Sequence, residues 1–150
     1  MKFIHTYLAE GKVKQISKDP AMARSLIQQA EARLYDLEHL PLTSENASFR
    51  FEGGYECVRE AVQAFMAYDG LKPYSHEAVI SFARERGLLS ESETAAFDRF
   101  RKIRNDINYE GEKTTVEETK EIIRFAHITF KTLKIKFNES CIRIAVKNGV

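Results

Sequence analysis

The stretch SESETAAFDRFRKIRNDINYEGEKTTVEE, Ser90–Glu118, decides the fold class of this chain. It contains two helix starts of the same design. In Ser90-Glu91-Ser92-Glu93 and Thr115-Val116-Glu117-Glu118, a hydroxyl residue stands three positions before a glutamate. That is a capping box, in which each side chain satisfies a backbone N–H that the first helical turn leaves without a partner. Between the boxes, Phe97, Phe100, Ile103 and Ile107 recur at helical spacing. Glu110-Gly111-Glu112-Lys113 then reads as a turn. The segment predicts a helix from Ser90 to about Tyr109, a tight reversal, and a long helix to about Phe137. Apolar positions of the second helix include Ile122, Phe125, Ala126, Thr129, Phe130 and Leu133.

Working outward, Asp19-Pro20 is a good helix start, because Asp caps and Pro at the first helical position loses no hydrogen bond. Met22, Leu26, Ala30, Leu34 and Leu37 form the expected core stripe of that helix, and Pro41 marks its end. Leu42 to Ser48 reads as a loop. A helix to Tyr68 follows, with Tyr55, Val58, Val62 and Phe65 inward and Gly53-Gly54 near its start, where glycines permit close backbone approach. Asp69-Gly70 ends it. Ser75 is placed to cap a short helix to Arg86, closed by Gly87. The first eighteen residues are ambiguous: Phe3, Ile4, Tyr7 and Leu8 would share a short helical face ending at Gly11. The tail 138–150 is also ambiguous, since Ile142, Ile144 and Val146 alternate as in a strand. The expectation is one all-α domain over 1–150, with a core at about 20–137. Short connections make it an up-and-down bundle of about five helices.

Composition narrows the function classes. Apolar residues make up 43% and charged residues 30%, which suits a globular chain and not a disordered one. The net charge of +1 neither demands nor excludes a nucleic-acid partner. Cys57 and Cys141 stand far apart without a CxxC or Cys/His cluster, so neither a disulfide framework nor a zinc site is expected. No segment has the apolar length to span a bilayer, and the N-terminus lacks a signal-peptide pattern. The expected compartment is the cytoplasm.

The candidate site is the polar stripe of the Ser90–Tyr109 helix. Arg101, Arg104 and Asn108 fall between its apolar and solvent faces, with Arg104 near the apolar edge and Asn105 just beyond. An arginine at a core boundary needs an acceptor or a bound anion. Arg104 and Asn108, four apart, can converge on one ligand, and guanidinium plus amide suits phosphate and base edges. The structural alternative pairs Arg104 with the acidic ladder Glu52, Glu56 and Glu60. The same ladder could in principle hold a hard cation, but an ion-paired face is the commoner fate of such spacing. Asp36-Leu37-Glu38-His39 has no second copy, which excludes a di-iron bundle, and neither a metal nor another cofactor is expected. Of the histidines, only His127, in the last helix, is a candidate to reach the stripe. Lys131, Lys134, Lys136, Arg143 and Lys147 make the C-terminal end basic.

Arg104-Asn105-Asp106-Ile107-Asn108-Tyr109 resembles the signature of the HEPN domains, an Arg followed four to six residues later by His. Gly54–Val62 is similar to that family's second helix, and Asp69–His76 to the connection after it. The resemblance covers about Pro20 to Leu133. It implies a helical domain that acts on RNA or nucleotides, often as a homodimer pairing through the motif faces, or beside a small nucleotidyltransferase in toxin–antitoxin systems. In active members it implies metal-independent RNA cleavage. Here the positions for His hold Tyr109, Glu110 and Gly111, and a phenol is a poor base near neutrality. The preferred expectation is a binding module using Arg101, Arg104 and Asn108, supported by Glu56 and Glu60. The alternative is an endoribonuclease with Arg104, Asn105 and Tyr109 as its catalytic set.

Overall fold

The computed structural model of the protein describes residues 1–149 and is mostly helical. Its elements are α1 (Ile4–Ala9), β1 (Val13–Gln15), α2 (Pro20–His39), α3 (Ala47–Asp69), β2 (Leu71–Pro73), α4 (His76–Glu85), α5 (Glu91–Glu110) and α6 (Val116–Lys147). Local sequence explains most boundaries. The Asp19 carboxylate accepts from the Met22 N–H at 2.9 Å, and both capping boxes form with side chains bonded in each direction. Gly70, Gly87 and Gly111 take positive φ just past α3, α4 and α5, as left-handed terminations require. Ser75 occupies the cap position of α4, but its side chain makes no capping bond.

Helix α3 is the axis of the bundle, and α2, α4, α5 and α6 all pack on it. Gly53 and Gly54 allow the closest approaches. A Cβ on Gly53 would stand 3.2 Å from Leu37 Cδ2 of α2, and one on Gly54 would stand 3.1 Å from Ile122 Cγ2 of α6. Aromatic rings fill the space toward α5: Tyr55 lies 5.2 Å from Phe97, and Phe51 5.9 Å from Phe100, centroid to centroid. The expected inward faces of α3 and α6 are buried, except that Phe125 is only half-buried.

There are six helices among the described residues, in keeping with a bundle of about five: residues 4–9 form α1, the short helix that the ambiguous first eighteen residues allowed. A small antiparallel sheet pairs Val13 with Pro73 and Gln15 with Leu71. Three-residue strands are shorter than any readable period, so neither was foreseen. Met22 is exposed. Ala23 and Ile27 hold the first turns of α2 against the core instead, since the stripe starts one residue later than the spacing from Leu37 suggested. The tail that the sequence left ambiguous is helical as far as Lys147. α6 runs on to Lys147 because Phe137 packs edge-on against Phe65 and Tyr68 of α3, at 5.4 and 5.9 Å. That contact carries the helix past the expected end, where alternating apolar residues do not outweigh a ladder already propagating.

Among the described residues no helix is long and apolar enough to cross a membrane.

The glycine contact yields a test. Gly54→Val places two methyl groups where Ile122 already stands, and overpacking of this kind costs roughly 1–3 kcal/mol. Chemical denaturation should show that loss for Gly54→Val, whereas Gly87→Asn, at a left-handed position facing open space, should cost much less.

Candidate functional site

A cleft of about 860 Å³ opens between the second half of α2, the first half of α3, and single side chains from α4 and α5. Its lining is polar and balanced in charge, with Arg33, Arg50, Arg59 and Arg104 against Asp36, Glu52, Glu56 and Glu60. The acidic ladder predicted on α3 therefore faces this cleft. The sequence-predicted Arg104 enters it from α5, near the last turn.

Most of these charges are committed to partners. Arg33 grips Glu60 with two N–H donors, the closer at 2.9 Å, and Arg59 holds Glu56 at 2.6 Å. Arg50 is buried and donates to the carbonyls of Leu37 and Leu40, closing the C-terminal end of α2. Arg104 differs. Its guanidinium lies 3.7 Å from a carboxylate oxygen of Glu52 and 3.7 Å from one of Glu56, contacts too long for hydrogen bonds. Its Nε is buried and donates to nothing. The side chain is only 16% exposed, so water does not fully make up the deficit.

The other predicted residues divide into those that join this group and those that do not. Asn108 joins it, with its amide donating to Glu52 at 3.3 Å. Glu56 and Glu60 line the cleft, each paired with an arginine. Arg101 does not line it. It lies on the neighbouring side of α5, bound to Asp98 at 2.9 Å and near Glu77 at 3.5 Å. The same pairing leaves Asp98 half-buried rather than fully solvated, and holds its carboxyl below the usual range against the opposing effect of burial. Asn105 is half-buried and outside the cleft lining. Tyr109 is 76% exposed and also outside it. His127 does not approach the stripe: its imidazole is bonded to Glu38 on the opposite side of α2.

Sequence reasoning missed His76. It is the first residue of α4, yet it lines the cleft because its ring stacks on Tyr55 at 5.6 Å and its Nδ1 lies 3.0 Å from the Tyr55 hydroxyl. Burial, with the cations of Arg59 and Arg104 nearby, lowers the His76 pKa. Tyr55 is fully buried, and burial raises its phenol well above the usual range. The phenol therefore stays protonated. Phe49 and Leu40 were also missed. Both border the cleft while remaining 80% and 58% exposed.

The arrangement can receive an anion or a polar edge. It offers one arginine with an unused donor, an imidazole and carboxylates in one open cleft, with the Asn108 amide bonded to Glu52 from outside the lining. Among the described residues no group of three or more His, Cys, Asp or Glu is placed to hold a metal ion. Comparison with models of protein families, with curated proteins and with solved structures returns no match for this chain.

The lowered pKa of His76 sets a pH dependence. The unfolded chain takes up the proton near the ordinary histidine pKa of about 6.5, before the folded chain does. His76 thus stabilises the fold fully above that value, and the contribution falls as pH drops toward the lower folded pKa. The melting temperature of wild type should decline between about pH 7.5 and 5.5, and His76→Gln should flatten that part of the curve.

Proposed function

We propose that the protein is a HEPN-like module that binds RNA or a nucleotide through Arg104 without cutting it, and that it works as a homodimer. The resemblance further suggests a small nucleotidyltransferase as its partner in a toxin–antitoxin setting. The observation that carries the reading is the unfinished bonding of Arg104. Two neighbouring arginines in the same cleft hold their carboxylates at 2.6–2.9 Å, whereas Arg104 stays at 3.7 Å with Nε unsatisfied. A buried donor left empty is costly, and an incoming phosphate oxygen would satisfy it with a charge-assisted bond. Glu56 opposes an anion only weakly, because Arg59 already neutralises it. Glu52 and Asn108 supply an acceptor and an amide of the kind that reads base edges.

One observation favours the second reading, a metal-independent endoribonuclease. His76 is neutral near pH 7 and shares the cleft with Arg104, whereas Tyr109 lies outside the lining. Binding without cleavage is preferred because the positions for the motif His hold Tyr109, Glu110 and Gly111.

Two experiments test this. Fluorescence anisotropy with a short labelled single-stranded RNA, and calorimetry with AMP, should show binding by wild type. Arg104→Ala should weaken it on the order of ten- to a hundredfold, the equivalent of one charged hydrogen-bond site. The melting temperature should change little. If Arg104→Ala mainly lowers the melting temperature and spares binding, the arginine is structural.

Incubation of wild type with RNA in chelator should give no products. Tyr109→His should gain slow cleavage that ends in cyclic or 3′-phosphate and disappears with Arg104→Ala. Wild-type cleavage that is lost in His76→Gln or in Tyr109→Phe would instead establish the nuclease reading and name its proton acceptor.

A further inference from the structure

The outer face of α6 carries Ile128, Ile135 and Ile142 at intervals of seven residues, with Val146 one turn beyond. All four are exposed, at 57%, 60%, 64% and 70%. At about 100° per residue they fall within an arc of about 40°, opposite Ala126, Phe130 and Phe137, which face the core. Scattered exposed apolar residues need no explanation, but four β-branched ones in a single line do. A strict seven-residue repeat matches the surface of a second helix, not of a sheet or an irregular loop.

We infer that this stripe is where two copies of the chain join, α6 against α6, antiparallel, about a twofold axis at Ile135. The inference rests on the homodimer reading above and assigns it a different face from the one the HEPN resemblance implies. The three isoleucines of the stripe read the same way from either end: Ile128 of one copy lies level with Ile142 of the other, and Ile135 meets its own counterpart, while Val146 falls level with the exposed Arg124 at the end of the seam. A symmetric interface requires this self-complementarity. The charges choose the direction. Antiparallel packing sets Lys131 level with Glu139 twice and Thr132 level with Asn138, whereas parallel packing would oppose Lys131 to Lys131. Both residues are exposed, and among the described residues neither Lys131 nor Glu139 has an ion-pair partner in its own chain.

Of the basic residues around the stripe, Lys134 is paired with Glu31 of α2, and Lys136 donates to the carbonyls of Gly87 and Leu88, whereas Arg124, Lys131 and Arg143 are exposed. An anionic membrane is therefore the competing occupant, and vesicle co-sedimentation separates it from a second copy. The α6 seam also leaves the Arg104 cleft open, because no residue of α6 lines it.

The test is the oligomeric state of the whole chain by light scattering and sedimentation. Wild type should be a dimer at micromolar concentration. Ile135→Glu puts two carboxylates together on the axis. It should weaken dimerisation at least about a hundredfold, through like-charge opposition in an apolar contact. Because the position is exposed, its circular dichroism, melting temperature and RNA binding should match those of the wild-type monomer. Lys131→Glu should weaken the dimer, and the double variant Lys131→Glu with Glu139→Lys should restore it, which only the antiparallel register predicts. A dimer that survives Ile135→Glu but is broken by Phe49→Glu would overturn the assignment and move the interface to the cleft face. A monomeric wild type would overturn both the seam and the homodimer reading while leaving the Arg104 binding test intact. Co-sedimentation of wild type with phosphatidylglycerol vesicles, abolished by Ile135→Glu, would assign the stripe to a membrane and overturn the proposal.

Discussion

Everything in this bundle is arranged around the place where α3 touches α2 and α6 without side chains of its own. Gly53 lets Leu37 come close on one side, and Gly54 lets Ile122 come close on the other. Glycine inside a helix costs about 1 kcal/mol relative to alanine, so two in succession weaken α3 locally. The return is a tight three-helix crossing that buries Gly54 and leaves Gly53 at the edge of the cleft. The same crossing sets the rotation of α3 about its axis. With 53 and 54 turned toward α2 and α6, residues 52, 56 and 60 point into the groove beside α2, and the aromatic residues 51 and 55 point toward α5.

The polar cleft is thus a by-product of packing that has been furnished with charge. Its arginines show a gradation of commitment: Arg50 serves a helix end, Arg33 and Arg59 hold carboxylates closely, and Arg104 stands off from two. A site made only for stability would be expected to draw all four into short pairs, because removing charge from water is compensated only by good geometry. What distinguishes Arg104 is burial: among the described residues its Nε is the buried side-chain donor left without a hydrogen bond.

Much of this was legible in the sequence, and the divide is physical. Capping boxes, the Asp-Pro start and the glycine stops are local signals, read within one helical turn, and those helices lie where the residues place them. Glu52, Glu56 and Arg104 were legible too, because four-residue spacing fixes a face before any neighbour is known. His76 was not. It owes its position to the crossing of α4 over Tyr55, a relation between residues far apart in the chain that leaves no local trace. The strands β1 and β2 were hidden for the same reason, since their pairing is decided across the chain. The end of α6 stayed ambiguous because Ile142, Ile144 and Val146 alternate as in a strand while Ile142 and Val146 also suit one helical face, and the seat of Phe137 on α3 decides between them.

The pairing of Val13 with Pro73, together with Ile16 N–H to the Gly70 carbonyl and Asp19 N–H to that of Ala67, fastens the beginning of the chain around the far end of α3. During synthesis residues 13–19 emerge before their docking place, which does not exist until Pro73 and the helix before it have left the ribosome. A segment made before α2 and α3 is therefore among the later ones to settle, while α2 and α3, neighbours along the chain, can meet as soon as both are out. The helical hairpin would form as the chain grows, and the leading segment would close over it afterwards, like a strap drawn across a finished package.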